Sequence, residues 1–312
     1  MTRKTALLFA GQGAQYVGMG RDLAEKYPAC QKWFDDSRRI LNHDLQSICF
    51  QGPEAELVRT ENAQPAIFLI SWIALQLLQE LVPAFSFQAA SGLSLGELTA
   101  WTAAGVFTFE DGLRCARQRG RFMQEACEAT RGTMAAVLGL DREKLAHVCQ
   151  EADVEMANLN CPGQIVISGE LDKVNRACEL AKAAGAKRAV PLSVAGAYHS
   201  RLMACAQPNV RAMLDAVPMN PPRVTVISNV SARPHTDPAE IKAKLVEQVV
   251  SSVRWEDSIR YLIDDGFTRF IELGPGAVLS GFVKRIDKGV QTYTVADVPS
   301  LEATVAALHA EG

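Results

Sequence analysis

The stretch Phe85-Ser86-Phe87-Gln88-Ala89-Ala90-Ser91-Gly92-Leu93-Ser94-Leu95-Gly96-Glu97 runs an apolar segment into a serine bracketed by glycines. Phe85 to Ser91 predicts a strand, and the residues that follow, up to Gly105, predict a helix. Between them stands Gly92-Leu93-Ser94-Leu95-Gly96, a G-x-S-x-G. A tight strand-to-helix turn of this kind pushes the serine hydroxyl into the open at the carboxyl edge of a sheet. Glycines on both sides let the strand and the helix pass closely. The N–H of Leu95 then opens the helix, where it can face a tetrahedral oxyanion. Ser94 is therefore the candidate nucleophile, and the setting it demands is an α/β fold.

The flanking sequence supplies that setting. Thr5 to Ala10 predicts a buried strand that runs into the turn Gly11-Gln12-Gly13, and Gly18 to Tyr27 a helix. Ala63 to Leu81 predicts a long apolar helix with Pro65 near its start, where proline is tolerated. Glu110 to Ala129 predicts another. Thr108 is its N-cap, Leu113, Ala116, Gly120, Met123 and Cys127 form its apolar stripe, and Arg131-Gly132 ends it. The middle then reads strand, helix, strand, strand, helix, strand: Thr133–Leu140, Arg142–Ala152, Val154–Asn158, Ile165–Ser168, Leu171–Ala184 and Arg188–Val194. That order is the split pattern of a ferredoxin-like unit. Residues 131–197 are thus expected to form an inserted ferredoxin-like small subdomain, and 1–130 with 198–312 a large hydrolase-like core. In the last part, strands at Val224–Ser228 and Arg269–Leu273 alternate with helices at Ile241–Val250 and Ala277–Ile286, so the core sheet is expected to be mostly parallel and covered by helices.

Bulk properties narrow the function. The 312 residues are 48% hydrophobic and 21% charged, with a formal net charge of −3. Nothing in that balance favours nucleic acid or a membrane surface. Ala6 to Ala10 is too short for a signal-peptide core. The apolar stretch from Pro65 to Val82 is interrupted by Ser71, Gln76, Gln79 and Glu80, which argues against a membrane span. Eight cysteines, none in a Cys-x-x-Cys pair, read as free thiols of a cytoplasmic protein.

A serine nucleophile needs a base. Of His43, His147, His199, His235 and His309, the first two sit in polar helical surroundings, and His309 is near the C-terminus. His235 lies in a proline-flanked turn. His199 follows Gly196-Ala197-Tyr198 at the end of a strand, where the small unit returns to the core. No acid stands out as a third member: Asp111, Asp141, Asp153 and Asp172 all read as cap or helix-surface residues. A backbone carbonyl can take that place, because the orienter mainly fixes the imidazole tautomer.

Seven segments in order carry a resemblance over nearly the whole chain. They are Phe9-Ala10-Gly11-Gln12-Gly13-Ala14-Gln15, Gly92-Leu93-Ser94-Leu95-Gly96-Glu97, Arg119-Gly120-Arg121-Phe122-Met123-Gln124, Asn158-Leu159-Asn160-Cys161-Pro162-Gly163-Gln164, Gly196-Ala197-Tyr198-His199-Ser200, Gln248 with Trp255, and Glu272-Leu273-Gly274-Pro275-Gly276. The chain resembles the malonyl-CoA:acyl carrier protein transacylases of fatty acid synthesis, relatives of polyketide synthase acyltransferase domains. The resemblance implies that Ser94 is acylated, that His199 is its base, and that the backbone carbonyl of Gln248 orients His199. It implies an oxyanion site at Gln12 and the Leu95 N–H, Arg119 on the malonyl carboxylate, and Asn160 beside the pantetheine arm.

Spacing alone leaves Arg117 and Arg119 as equal neighbours of the apolar stripe; the resemblance selects Arg119, whose planar guanidinium suits a carboxylate. Two further positions bear on the acyl group. The family commonly has histidine where Leu93 stands, and an aromatic at Tyr198 accompanies malonyl rather than methylmalonyl. The implied partners are malonyl-CoA and acyl carrier protein, with Lys284, Arg285 and the exposed arginines between Arg114 and Arg121 as docking charges. No cofactor or metal is implied, coenzyme A entering as a thioester substrate, and the enzyme is expected to be a monomer. Two other readings share the serine. A hydrolase would need an acid partner and no Arg119; a silent carrier-binding subunit would tolerate loss of Ser94.

Overall fold

The computed structural model describes residues 3–311. Its described residues hold nine strands: β1 (Thr5–Phe9), β2 (Ala89–Gly92), β3 (Gly132–Leu138), β4 (Glu155–Cys161), β5 (Gln164–Glu170), β6 (Arg188–Pro191), β7 (Thr225–Ile227), β8 (Arg269–Leu273) and β9 (Gln291–Val295). The larger sheet has the order β7-β2-β1-β8-β9 and is parallel throughout. β1 is buried along its whole length, as a strand covered on both faces must be. Its side chains divide by the period of two. Leu7 and Phe9 join the core beneath the Thr60–Leu81 and Phe109–Ala129 helices, while Ala6 and Leu8 join the opposite core with Trp255, Leu262 and Phe282.

The smaller sheet is antiparallel with the order β4-β5-β3-β6, and the Arg142–Ala152 and Leu171–Ala183 helices supply its core. In chain order that is second, third, first, fourth, the arrangement of a ferredoxin-like unit. β4 is tied to the rest of the molecule beyond the Pro238–Gln248 helix: Val253 N–H donates to Ala157 O (2.8 Å) and Leu159 N–H to Val253 O (2.9 Å).

Several boundaries differ from the sequence expectation. β2 starts at Ala89, not Phe85. Phe85 and Phe87 stack on each other outside the sheet, and the Gln88 side chain turns to accept from Thr5 N–H (2.9 Å). The long helix begins at Thr60, so Pro65 lies inside it and leaves the Glu61 carbonyl without its helical donor. Arg117 Nη1 supplies one at 2.6 Å, so Arg117 is a half-buried structural residue rather than a solvated charge. By length and composition this helix could cross a membrane despite its polar interruptions, but it is a core helix here, with nearly all of residues 60–78 buried. His43 is not in a helix but in the turn after Leu41, bonded to Asn62 Oδ1 (3.1 Å), and burial lowers its pKa.

Candidate active site

β1, β2 and β7 are neighbours, and their carboxyl ends bring three loops together. Ser94 turns from β2 into the Leu95–Ala103 helix at φ 53° and ψ −102°, a strained conformation for a side-chain-bearing residue. The close approach is visible at the glycines. A Cβ on Gly92 would sit 1.9 Å from the Gly96 carbonyl, and one on Gly96 would sit 2.2 Å from the Phe9 oxygen. Asn229, just past β7, holds the turn from the side. Its Oδ1 accepts from Ser94 N–H (2.7 Å) and its Nδ2 donates to Gly92 O (2.8 Å).

His199 stands with Nε2 2.7 Å from Ser94 Oγ. Its Nδ1 lies 2.9 Å from the backbone oxygen of Gln248. A carbonyl only accepts, so Nδ1 carries the proton and Nε2 faces the serine as the free base. Burial, and then the Arg119 cation, hold the imidazole down to about 4, so it is neutral at pH 7.

Arg119, only 2% exposed, projects from the Phe109–Ala129 helix into the same place. Nη1 donates to Gln64 Oε1 (2.7 Å), and Nη2 donates to Gln248 Oε1 (2.9 Å) and Ser94 Oγ (3.2 Å). All three acceptors are uncharged. Burial pushes this guanidinium down to about 10. Such a site attracts an anion, and two of its three acceptors, Gln64 and Ser94, line the cavity above it.

That cavity has a volume of about 420 Å³, within the range of small-molecule sites, and is lined among others by Gln12, Leu93, Ser94, Asn160, Tyr198 and His199. Gln12 Nε2 donates to Thr60 Oγ1 and to Tyr198 Oη, both at 3.3 Å. Tyr198 Oη also pairs with Thr60 Oγ1 (2.5 Å), which fixes the ring at the cavity wall. Leu95 opens its helix, where an N–H has no i−4 carbonyl to serve. Asn160, on β4, is 5% exposed and its Oδ1 has no partner among the described residues.

Six of the nine sequence-expected residues line this cavity, Arg119 and Gln248 are each hydrogen-bonded to Ser94 behind it, and Leu95 follows Ser94 in the chain. The structure also adds residues that sequence reasoning missed: Asn229, Gln64, Thr60 and Glu97. Glu97 lay within a quoted segment, but nothing local distinguished it from a helix-surface acid. Of the expected docking charges, Arg114 and Arg121 are exposed but paired with Glu110 and Glu125. Arg285 is exposed and bonds Gln164 Oε1 and Pro162 O.

Comparison with known proteins now bears on this geometry. Residues 6–308 match the acyl transferase domain family. The malonyl CoA-acyl carrier protein transacylase of Bacillus subtilis is 46% identical over 315 residues, covering 99% of this chain and 98% of that protein. The chain belongs to the malonyl CoA-acyl carrier protein transacylase family. The Haemophilus influenzae member is 38% identical, over 96% of this chain and 98% of its own. An acyl carrier protein S-malonyltransferase from Vibrio cholerae superposes with a TM-score of 0.93 at 39% identity, over 96% of this chain and 99% of that one. A malonyl-transacylase solved in complex with a type II PKS acyl-carrier protein superposes with a TM-score of 0.94 at 35% identity, over 97% and 99%. This transacylase-family chain is accordingly an acyltransferase.

Proposed function

We propose that the enzyme moves a malonyl group from malonyl-CoA to the phosphopantetheine thiol of acyl carrier protein, through a malonyl ester of Ser94, and so supplies extender units for fatty acid synthesis. The observation that carries this reading is a buried guanidinium 3.2 Å from the oxygen of a serine whose other neighbour, at 2.7 Å, is a neutral imidazole. A serine–histidine pair supports acyl transfer in general; the cation selects an acyl group that ends in a carboxylate.

In the first half-reaction Ser94 Oγ attacks the thioester carbonyl while its proton passes to His199 Nε2. The carbonyl of Gln248 keeps Nδ1 protonated and stabilises the imidazolium. Negative charge develops on the former carbonyl oxygen, toward the Leu95 N–H and Gln12. The carbon–sulfur bond breaks, and coenzyme A leaves with the proton from His199. In the second half-reaction the carrier thiol gives its proton to His199 and attacks the Ser94 ester, whose oxygen then recovers that proton. The thioester supplies its own driving force, so the sequence of steps calls on no metal or redox cofactor. An acetyl group would offer Arg119 no carboxylate to bind.

Asn160, with its unpartnered Oδ1, suits an amide N–H of the pantetheine arm, and Leu93 and Tyr198 wall the acyl end. Lys284 and Arg285 are the docking charges proposed for an acidic carrier. We further propose that the enzyme is a monomer and that it resides in the cytoplasm, where eight free thiols suit a reducing compartment. Intact-protein mass spectrometry after brief mixing with malonyl-CoA tests the whole reading. A malonyl-sized adduct on wild type but not on Ser94→Ala, removed by carrier protein, is expected. An adduct lost to water regardless of carrier would overturn it in favour of a hydrolase.

A further inference from the structure

Glu97 is a fully buried acid that the mechanism does not use. It lies on the helix that Ser94 opens, and its oxygens collect donors from three directions. Oε2 accepts from Asn229 N–H (3.1 Å) and from Gln248 Nε2 (2.5 Å), and Oε1 accepts from Trp101 Nε1 (3.3 Å). All three are N–H groups, a set that an acceptor-only, ionised carboxylate uses in full. The Gln248 side chain turns its other end to the cation: its Oε1 accepts from Arg119 Nη2 at 2.9 Å. Carboxylate, amide and guanidinium therefore stand in series, with the amide dipole aligned N–H to anion and oxygen to cation.

We infer that Glu97 is the resident counter-ion of Arg119, held one amide away from it by Gln248. The inference rests on the reading of Arg119 as the site of the malonyl carboxylate. A buried cation with no anion near it is strongly destabilising, so the free enzyme needs a compensating charge. A carboxylate in direct contact would meet that need but would occupy the edge of the guanidinium that substrate must use. Interposing Gln248 separates the two demands. The anion acts through the polarised amide, and Arg119 meets substrate with only neutral, displaceable partners. Burial raises the Glu97 carboxyl, against the pull of its donors, while the charge of Glu97 holds Arg119 up against burial. Gln248 acquires two tasks in consequence: its backbone orients His199, and its side chain insulates an ion pair. Glu97 itself is a positioning residue: its N–H donates to Ser94 O (3.1 Å), but its carboxylate bonds neither Ser94 nor a group lining the acyl cavity.

The test compares thermal midpoints of free, malonyl-Ser94 and acetyl-Ser94 enzyme, for wild type and Glu97→Gln. Glutamine keeps the size and one acceptor but removes the charge. Malonylation should then raise the midpoint of Glu97→Gln by about 3 °C or more beyond its effect on wild type, because the malonyl carboxylate supplies the missing anion. Acetylation should give no such excess. Equal gains from malonylation in the two proteins would make Glu97 a neutral hydrogen-bonding post and overturn the inference. Gln248→Glu provides a second route should Glu97→Gln fail to fold. It sets a carboxylate directly on Arg119, and the ratio of malonyl to acetyl acylation of Ser94 should fall about tenfold or more. An unchanged ratio would also overturn the inference. Absence of a malonyl adduct on wild type is a different failure, and would remove the reading of the site itself.

Discussion

Replacing Arg119 by methionine removes the cation while keeping an unbranched stem of similar reach beneath Ser94. In the folded enzyme the guanidinium is 2% exposed, so a carboxylate that meets it is largely out of water. Removing one partner of a buried pair costs about 3–5 kcal/mol. At 1.4 kcal/mol per factor of ten, kcat/KM for Ser94 acylation by malonyl-CoA should fall between roughly a hundredfold and several thousandfold. Acetyl-CoA has no carboxylate to lose. Gln64, Gln248 and Ser94 forfeit a donor with either substrate. That common loss cancels in the ratio of the two rates, which is the quantity to measure. The same substitution removes the second cause of the low His199 pKa, so the acid limb of kcat/KM should move up from about 4 toward the ordinary histidine range. Stopped mixing of each thioester with enzyme, with the Ser94 adduct counted by mass, gives both quantities. If malonyl and acetyl acylation fell by the same factor, Arg119 would be structural and the substrate assignment would be refuted.

Asn229→Ala should destabilise the fold by about 2–4 kcal/mol in urea unfolding, because it strips partners from the Ser94 N–H and the Gly92 carbonyl, and it should slow acylation by malonyl-CoA and acetyl-CoA alike. A stable variant with wild-type kinetics would show that the turn holds itself. Gly96→Ala should yield no soluble folded enzyme, since its Cβ would lie 2.2 Å from the Phe9 oxygen; native circular dichroism in that variant would contradict the packing. Acid should weaken the fold through His199. Its folded pKa of about 4 lies below the ordinary value of 6.5, so the unfolded chain binds the extra proton first. This contribution is intact above pH 6.5 and is lost progressively toward pH 4, amounting to about 3 kcal/mol. His199→Gln should flatten that part of the pH–stability curve, as measured by urea midpoints at a series of pH values.

Much of the fold was legible because its signals are local. The caps Thr108 and Asp141 accept from the N–H groups of Asp111 and Lys144, three residues on, and so mark helix starts. The strand–helix order from β3 to β6 follows from periodicity and turns. Other elements had no counterpart in the expectations, among them the Gln31–Leu41 and Leu45–Gln51 helices and β9, although the first is clearly amphipathic and buries Phe34, Ser37 and Ile40. The elbow was also local, since Gly92 and Gly96 lie within two residues of Ser94. By contrast, Arg117 and Arg119 are indistinguishable by spacing. Only the packing against the Thr60–Leu81 helix sends the first to the carbonyl of Glu61 and the second to Ser94.

From the sequence came the candidate nucleophile, much of the order of elements and, through seven ordered segments, the family to which the chain is similar. Tertiary structure decided which groups serve that nucleophile. The carbonyl that orients His199 is 49 residues away, the side chain that steadies Ser94 is 135 away, and the acid that meets Gln248 is 151 away. A backbone carbonyl is carried by every residue and leaves no mark in a sequence. A buried asparagine or glutamate is told from a surface one only by what the parallel sheet brings against it. Burial then supplies the chemistry, since the same histidine and arginine in water would be an ordinary weak base and a solvated charge.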